Sequence, residues 1–252
     1  MSPNLFHVGP ISVDSYTAVL GLGLFLGLVI IYRRAGLRIA RRERWLDGAL
    51  VALAAGVLGA RLGFVAANWT YYEGRTGQIL KFWLGGLEWR GALVGATLAT
   101  LIYCWARKLQ FWRLADELAL VAPLVGVAGW VGCLLAGCAY GEVLDQPHWL
   151  AADLPDIFGV WALRYNVQLL AVGWSLNVGL VLWWAQRRLP AGGTFALFLM
   201  LFGAGMGIID SLRGDVSPLV RGWRSDVLAD WIVASLGLVT MGLVSLKRMV
   251  TE

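Results

Sequence analysis

The amino-acid sequence predicts an all-α fold, a polytopic helical bundle that crosses a membrane seven times. Of its 252 residues, 59% are apolar and only 15% are charged, whereas soluble globular chains carry roughly 25% charged residues. The 32 glycines and 14 tryptophans are typical of helices that pack closely in a bilayer and anchor at its interfaces. The composition excludes a disordered chain, and three cysteines in this length exclude a disulfide scaffold.

Seven apolar segments are long enough to cross a bilayer, which takes about 17–25 helical residues. They are residues 16–32, 46–68, 83–106, 117–139, 167–185, 194–212 and 226–246. The first is not expected to be a cleaved signal peptide, because residues 1–15 hold no Lys or Arg and such a peptide begins with a positively charged region. We therefore predict one integral membrane domain over residues 1–252, with a short periplasmic insert at about 142–166.

The distribution of Lys and Arg predicts the orientation of the chain. Loops 32–45, 107–116 and 186–193, together with the C-terminal tail, hold about twice as many basic residues as the opposite loops. Because cytoplasmic loops carry the excess of basic residues, the N-terminus is expected outside and the C-terminus in the cytoplasm. The formal net charge of +5 is explained by this topology, and no nucleic acid partner is predicted.

Four ionisable side chains stand well inside the predicted spans: Arg61, Glu88, Arg90 and Asp210. Ionisable groups at this depth are costly, and by default they indicate a functional site. Glu88 and Arg90 are two residues apart, so in a regular helix they would point to different faces and have separate partners. A purely structural alternative, in which Arg61 and Asp210 pair as a link between helices, is equally consistent with the sequence.

The cysteines and histidines do not predict a metal site. Cys104, Cys133, Cys138, His7 and His148 do not have the spacing of known zinc ligands. A disulfide between Cys133 and Cys138 is not expected either, since side chains five residues apart on a helix diverge in direction. We interpret the three cysteines as small apolar packing residues.

Six short motifs follow one another along nearly the whole chain. They are Gly9-Pro10-Ile11 with Val13-Asp14-Ser15-Tyr16; Gly59-Ala60-Arg61-Leu62-Gly63; Gly85-Gly86-Leu87-Glu88-Trp89-Arg90-Gly91-Ala92-Leu93-Val94-Gly95; Asp116 with Gly129-Trp130-Val131-Gly132-Cys133 and Gly137-Cys138-Ala139-Tyr140-Gly141; Gln168-Leu169; and Asp210 with Arg213. In this order they resemble the motifs of prolipoprotein diacylglyceryl transferases. Those enzymes move a diacylglyceryl group from phosphatidylglycerol to the cysteine of a lipobox.

The resemblance implies a multi-pass protein of the bacterial cytoplasmic (inner) membrane. It implies phosphatidylglycerol as the phospholipid substrate, the signal peptide of a prolipoprotein as the acceptor, and no cofactor. It also implies the roles of seven residues at positions that match the family's motifs, and Arg90 and Glu88 join them as charges inside a predicted span. Arg90, Asp210 and Tyr16 are expected to be catalytic, and the residues expected to bind substrate are Arg61, Cys133, Tyr140, Gly141, Arg213 and Glu88.

The expected reaction explains why these residue types are needed. A thiolate attacks the glyceryl carbon while glycerol phosphate leaves, so guanidinium groups that clamp the phosphate and a group that accepts the thiol proton both help. Arg90 cannot accept a proton, because a guanidinium stays charged in proteins. Asp210 or Glu88 is therefore the predicted base.

Four positions depart from the family pattern at the chemistry, and one of them is Asp210, where the family has the longer Glu. Where the family has two arginines, this chain has Trp130 and Met206, and where the family has His or Tyr it has Arg90. Arg90 and Arg61 could restore part of the lost positive charge. The alternative is a catalytically degenerate homologue that acts as a lipid-binding or structural subunit with other membrane subunits.

Leu135-Ala136-Gly137-Cys138 itself resembles a lipobox. A lipobox works only behind an N-terminal signal peptide, and this segment lies in the fourth predicted span. Cys138 is therefore not predicted to be an acceptor.

Overall fold

The computed structural model describes residues 4–8, 11–38, 42–81 and 86–251. The motif residues Gly9, Pro10 and Gly85 lie outside the described residues. The helices are α1 (Ser15–Arg38), α2 (Arg42–Ala67), the short α3 (Trp69–Tyr72), α4 (Trp89–Arg107), α5 (Phe111–Ala136), α6 (Val167–Ala185), α7 (Gly193–Asp210) and α8 (Ser225–Thr251), with a 3₁₀ turn at Thr76–Gln78. The strands are β1 (Asn4–Val8), β2 (Ile11–Asp14), β3 (Ala151–Pro155), β4 (Trp161–Tyr165), β5 (Leu219–Val220) and β6 (Trp223–Arg224).

The prediction of a polytopic helical membrane protein is confirmed. Within the described part of the chain, six helices are long and apolar enough to cross a membrane: Ser15–Ala35, Glu43–Ala67, Phe111–Ala136, Val167–Ala185, Gly193–Asp210 and Ser225–Lys247. The remaining long helix, α4, has Arg90 in its first turn and Arg107 as its last residue, and it is not among the six. The seventh span and the orientation therefore stay predictions.

The backbone conformation explains why two of the helices differ from their predicted spans. The span predicted over 83–106 corresponds to α4, which begins only at Trp89 because Glu88 has extended dihedral angles (φ −113°, ψ 123°). The span predicted over 117–139 corresponds to α5, which ends at Ala136 because the chain reverses at Gly137, where φ is +75°. Glycine adopts such a positive φ at no steric cost.

The chain divides into two compact units, Met1–Gly27 with Ala119–Glu252, and Leu28–Leu118. In the first unit, α1 and α5 approach closely at Gly23, where an added Cβ would clash with the Cβ of Ala128. In the second unit, α2 and α4 approach at Gly59 and Gly91, where an added Cβ would clash with the carbonyl oxygen of the partner glycine. Glycines thus bring helix backbones into contact in both units.

A small sheet-like patch caps one end of the helices in the first unit. Strands β3 and β4 form an antiparallel hairpin inside the predicted insert, and isolated bridges pair Gly141 with Arg213 and Val143 with Arg164. Consequently the segment after α5 lies between the segment after α7 and β4. The prediction of helices alone missed these short strands, which are too brief to leave a clear periodicity in the sequence.

Candidate active site

The nine predicted site residues are divided between the two units. Tyr16, Cys133, Tyr140, Gly141, Asp210 and Arg213 belong to the first unit, and Arg61, Glu88 and Arg90 belong to the second. Each group is therefore described within its own unit.

Asp210 and Arg213 form an ion pair at the end of α7. Asp210 is the last residue of the helix and is 1% exposed. Nη1 of Arg213 lies 3.2 Å from Oδ1 of Asp210, while its Nε and Nη2 bind the two carboxylate oxygens of Asp215 at 2.8 and 2.5 Å. Arg213 is thus held by two carboxylates at once, with the two-point geometry that an arginine fork favours.

Arg224 and Asp226 extend this pair into a network, the ion-pair cluster of Asp210, Arg213, Asp215, Arg224 and Asp226. Nη1 of Arg224 donates to the carbonyl oxygens of Arg213 (3.0 Å) and Asp215 (2.9 Å). Its Nε and Nη2 bind the carboxylate of Asp226 at 3.2 and 2.8 Å. Arg224 therefore ties the loop that carries Arg213 to the start of α8.

The acidic neighbours hold Arg213 in its charged form. Burial by itself lowers the pKa of a guanidinium, but the charges of Asp210 and Asp215 more than offset that effect, so the pKa of Arg213 lies above its ordinary value. The same balance raises the pKa of Arg224, where burial is opposed mainly by the hydrogen bond and charge of Asp226. Both arginines therefore remain cations.

Tyr140 and Gly141 lie beside the ion-pair cluster through backbone pairing. The N–H of Gly214 donates to the carbonyl oxygen of Tyr140 at 2.9 Å, and Gly141 pairs with Arg213. A Cβ at Gly141 would lie 2.8 Å from the Cβ of Tyr165, so only glycine fits this position.

Arg164, which the sequence analysis did not select, lies beneath these two residues. It is 6% exposed, its Nη2 binds Oδ2 of Asp156 at 3.1 Å, and its guanidinium carbon lies 4.8 Å from the ring centroid of Tyr140. Its Nε has no hydrogen-bond partner among the residues that the structure describes. Arg164 lies in the predicted insert at about 142–166, and its pairing with Asp156 depends on the register of the β3–β4 hairpin.

Cys133 and Cys138 form a disulfide, so the prediction against this bond is wrong. The two cysteines do not lie on one continuous helix, because α5 ends at Ala136 and Cys138 lies beyond the reversal at Gly137. The two Cα atoms are therefore only 4.7 Å apart, within the range that a disulfide spans. Cys104 is a free, buried cysteine, as expected of a packing residue.

Gln168 fixes the disulfide loop to α6. This side chain is 1% exposed, and its Nε2 donates to the carbonyl oxygen of Cys138 at 3.0 Å. On the other side of Cys133, a Cβ at Gly132 would lie 3.0 Å from Cδ2 of Tyr16. Tyr16, Cys133 and Gln168 therefore surround the C-terminal end of α5.

In the second unit, Glu88 and Arg90 bind each other, so the prediction of two separate partners is wrong. Nη1 of Arg90 lies 2.7 Å from Oε1 of Glu88. Glu88 precedes α4 and caps it, accepting hydrogen bonds from the backbone N–H groups of Arg90 (3.0 Å) and Gly91 (2.6 Å). Because Glu88 is the N-cap and not a helical residue, the two-residue spacing does not separate the side chains.

Arg61 organises a loop. It is 3% exposed, and its guanidinium donates to the carbonyl oxygens of Ile79 (2.7 Å), Gln78 (2.8 Å) and Gly86 (3.2 Å). The ring of Tyr72 lies 5.4 Å from its guanidinium carbon. These bonds hold the connection between α3 and α4, a role that the depth of Arg61 in α2 did not reveal.

Within residues 4–8, 11–38, 42–81 and 86–251, no group of three His, Cys, Asp or Glu side chains could share a metal ion. The prediction of a site without a metal stays a prediction.

The six apolar helices define a multi-pass membrane protein, and each of its two units buries a charged side chain near the end of a helix, Asp210 in α7 and Arg61 in α2. The model of the prolipoprotein diacylglyceryl transferase family matches residues 3–247. The chain belongs to this family, and its place is the bacterial cytoplasmic membrane.

Relatives named phosphatidylglycerol–prolipoprotein diacylglyceryl transferase align with almost the entire chain. The protein from Symbiobacterium thermophilum is 33% identical over 96% of this chain and 92% of its own length. The protein from Bacillus licheniformis is 31% identical over 98% of this chain and 93% of its own. The protein from Geobacillus kaustophilus is 30% identical over 92% of this chain and 89% of its own.

Proposed function

We propose that this protein transfers a diacylglyceryl group from phosphatidylglycerol to the lipobox cysteine of a prolipoprotein. The observation that carries the proposal is the match of the family over residues 3–247, with relatives of that name aligned over nearly their full length. In the reaction the cysteine sulfur bonds to the glyceryl carbon, the bond between that carbon and the phosphate oxygen breaks, and glycerol phosphate leaves.

Arg213 is suited to bind the phosphate of the headgroup. A guanidinium has five N–H groups. Arg213 directs one N–H of Nη1 toward Asp210, and one N–H each of Nε and Nη2 toward Asp215. One N–H on each terminal nitrogen is therefore available to a phosphate oxygen. A guanidinium already oriented by carboxylates stabilises developing negative charge without reorganising first.

Asp210 is the better candidate for the base that accepts the thiol proton. Glu88 already accepts from two backbone N–H groups and from Arg90, so protonating it would break the cap of α4. Asp210 does not cap a helix, and its ion pair with Arg213 is longer, at 3.2 Å. In the second unit, Arg90 is a cation that Glu88 orients. The role of Arg61 is to hold the loop between α3 and α4 through its hydrogen bonds to backbone carbonyl oxygens.

We also propose that α4 is a seventh span and that the N-terminus lies outside. The contacts between α2 and α4 extend from Gly63 with Gly91 to Ala55 with Gly95, so α4 runs antiparallel along a spanning helix. A helix packed in this way lies at membrane depth. The disulfide at the end of α5 also favours an outer, oxidising location for that end, opposite the basic loop 107–116.

An assay with purified protein tests the proposed reaction. Phosphatidylglycerol and a lipobox peptide are supplied, and the thioether product is measured by mass spectrometry. We expect product with the native chain and with Asp153→Asn, which changes an exposed carboxylate, and a large loss with Asp210→Asn. A folded, lipid-bound protein that makes no product, and does not complement a transferase-depleted bacterium, would favour the non-catalytic alternative.

A further inference from the structure

Arg164 is a buried cation in direct contact with two residues that are expected to bind substrate. It belongs to β4 and is only 6% exposed. Its Nη1 donates to the carbonyl oxygen of Gly141 at 3.5 Å, and its guanidinium carbon lies 4.8 Å from the ring centroid of Tyr140. Its Nη2 binds Oδ2 of Asp156 at 3.1 Å. The two terminal nitrogens are therefore engaged, one by the candidate site and one by an acidic residue of the hairpin.

The third nitrogen of this guanidinium, Nε, has no acceptor among the residues that the structure describes. Buried N–H groups in folded proteins nearly always have an acceptor, and a buried donor without one requires an explanation. A guanidinium stays charged, and its N–H groups bind anionic oxygens most strongly. The Nε–H of Arg164 is therefore suited to an anionic oxygen that a ligand supplies.

Arg164 and Arg213 flank the same short segment of the chain. The N–H of Glu142 donates to the carbonyl oxygen of Leu212 at 3.0 Å, and the carbonyl oxygen of Glu142 accepts from the N–H of Tyr165 at 3.1 Å. Each arginine is thus next in sequence to a residue that bonds to Glu142. Because neighbouring strands lie about 4.8 Å apart, the backbones of the two arginines are about 10 Å apart. Two arginine side chains at this separation can contact one lipid headgroup.

We infer that Arg164 is a further substrate-binding residue, whose Nε–H donates to a phosphate-ester oxygen. That oxygen belongs to the phosphatidylglycerol headgroup or to the glycerol phosphate that leaves it. The inference rests on the proposed function, in which Arg213 binds the same phosphate. Asp156 orients the guanidinium of Arg164, but its negative charge repels the anion. Removing the arginine and removing the carboxylate should therefore have opposite effects on phosphate binding.

The test measures two quantities on the purified full chain. Phosphorus NMR gives the Kd for glycerol phosphate, and the transfer assay gives KM and kcat for phosphatidylglycerol. Arg164→Gln should raise Kd and KM about tenfold, because a charged hydrogen-bond donor is lost, while kcat stays nearly unchanged, as expected for uniform binding. Arg221→Gln is the matched control, since Arg221 is an exposed arginine outside the site, and it should leave all three values unchanged.

Asp156→Asn separates binding from a structural role of the ion pair. The side chain of Asn keeps the oxygen that accepts from the backbone N–H groups of Phe158 and Val160, so the turn of the hairpin stays capped. Because the opposing charge is lost, this variant should lower Kd and KM a few-fold. Unfolding midpoints show whether each variant is folded, and Asp156→Asn decides the matter if Arg164→Gln does not fold.

The outcomes distinguish this inference from the proposed function. Weaker binding in Asp156→Asn, or native Kd and KM in a folded Arg164→Gln, would overturn the inference, and peptide transfer by the native chain would leave the proposed function intact. A rise confined to KM supports the inference with the lipid as ligand, and a rise confined to Kd supports it with the product as ligand. If the native chain binds glycerol phosphate through Arg164 but makes no thioether, the inference holds and the proposed function fails.

Discussion

Arg224 is expected to position Arg213, and replacing it with Ala tests that role. The side chain donates to two backbone carbonyl oxygens of the loop after α7 and binds the carboxylate of Asp226. Hydrogen bonds from a charged donor contribute about 1.5–3 kcal/mol each when buried. Because the side chain of Arg224 is 20% exposed, water replaces part of what is lost, and we expect a net cost of about 2 kcal/mol.

If this loss of about 2 kcal/mol displaces Arg213 from its position, the transition state for transfer loses the same stabilisation and the rate falls. Since about 1.4 kcal/mol corresponds to a tenfold change in rate, Arg224→Ala should lower kcat/KM for phosphatidylglycerol roughly 30-fold. Arg224→Lys keeps the charge but lacks the planar fork, so its loss should be intermediate. The measurement is the initial rate of thioether formation on a lipobox peptide over a series of lipid concentrations.

Arg221→Ala is the matched control, since Arg221 is an exposed arginine in the same hairpin. It should stay close to the native rate. The unfolding midpoint of each variant separates a loss of positioning from a loss of fold. If Arg224→Ala is folded and its kcat/KM is within a few-fold of that of Arg221→Ala, the positioning role is refuted.

Three further outcomes are expected. Gly59→Ala should lower the unfolding midpoint, because its Cβ would clash with the backbone of α4 and overpacking costs about 1–3 kcal/mol. The control Gly21→Ala should leave the midpoint unchanged, because nothing lies within 4 Å of its Cβ. Equal midpoints for the two variants would contradict the close packing of α2 against α4. Gly141→Ala should abolish most transfer, since its Cβ would clash with β4, and native activity would show that this approach is dispensable. In the transfer assay Arg90→Ala should lose activity, whereas Trp130→Arg should retain it. An active Arg90→Ala protein would show that the charge of Arg90 is not needed for transfer.

The spans follow from the sequence more closely than the interactions between them do. The span predicted over 167–185 coincides with α6, and the one predicted over 194–212 differs from α7 by two residues or fewer at each end. Both helices have clear polar or glycine-rich boundaries. The error at α4 is larger because the hydropathy of the sequence does not mark the boundary between residues 86–88 and the helix that follows. Only the dihedral angles of Glu88 show where the helix begins.

The roles of the nine candidate site residues stay predictions, and only some of the contacts between them could be predicted from the sequence. Asp210 and Arg213 are only three residues apart, and because the chain turns directly after α7 they form an ion pair. The contacts of Asp215, Arg224 and Arg164 could not be predicted, because they depend on loops whose paths the sequence does not indicate.

The sequence by itself determined that this protein is built from membrane-spanning helices, with Arg61, Glu88, Arg90 and Asp210 as unusual charges within or at the ends of the apolar segments. The reason is local: a bilayer forces each apolar stretch of about 20 residues to satisfy its own backbone hydrogen bonds as a helix. The tertiary structure alone decided which polar groups meet. The reversal at Gly137 joins Cys138 to Cys133, and the strand pairing brings Gly141 to Arg213. Such contacts depend on where the chain turns and what it meets there, which no local pattern of hydropathy encodes.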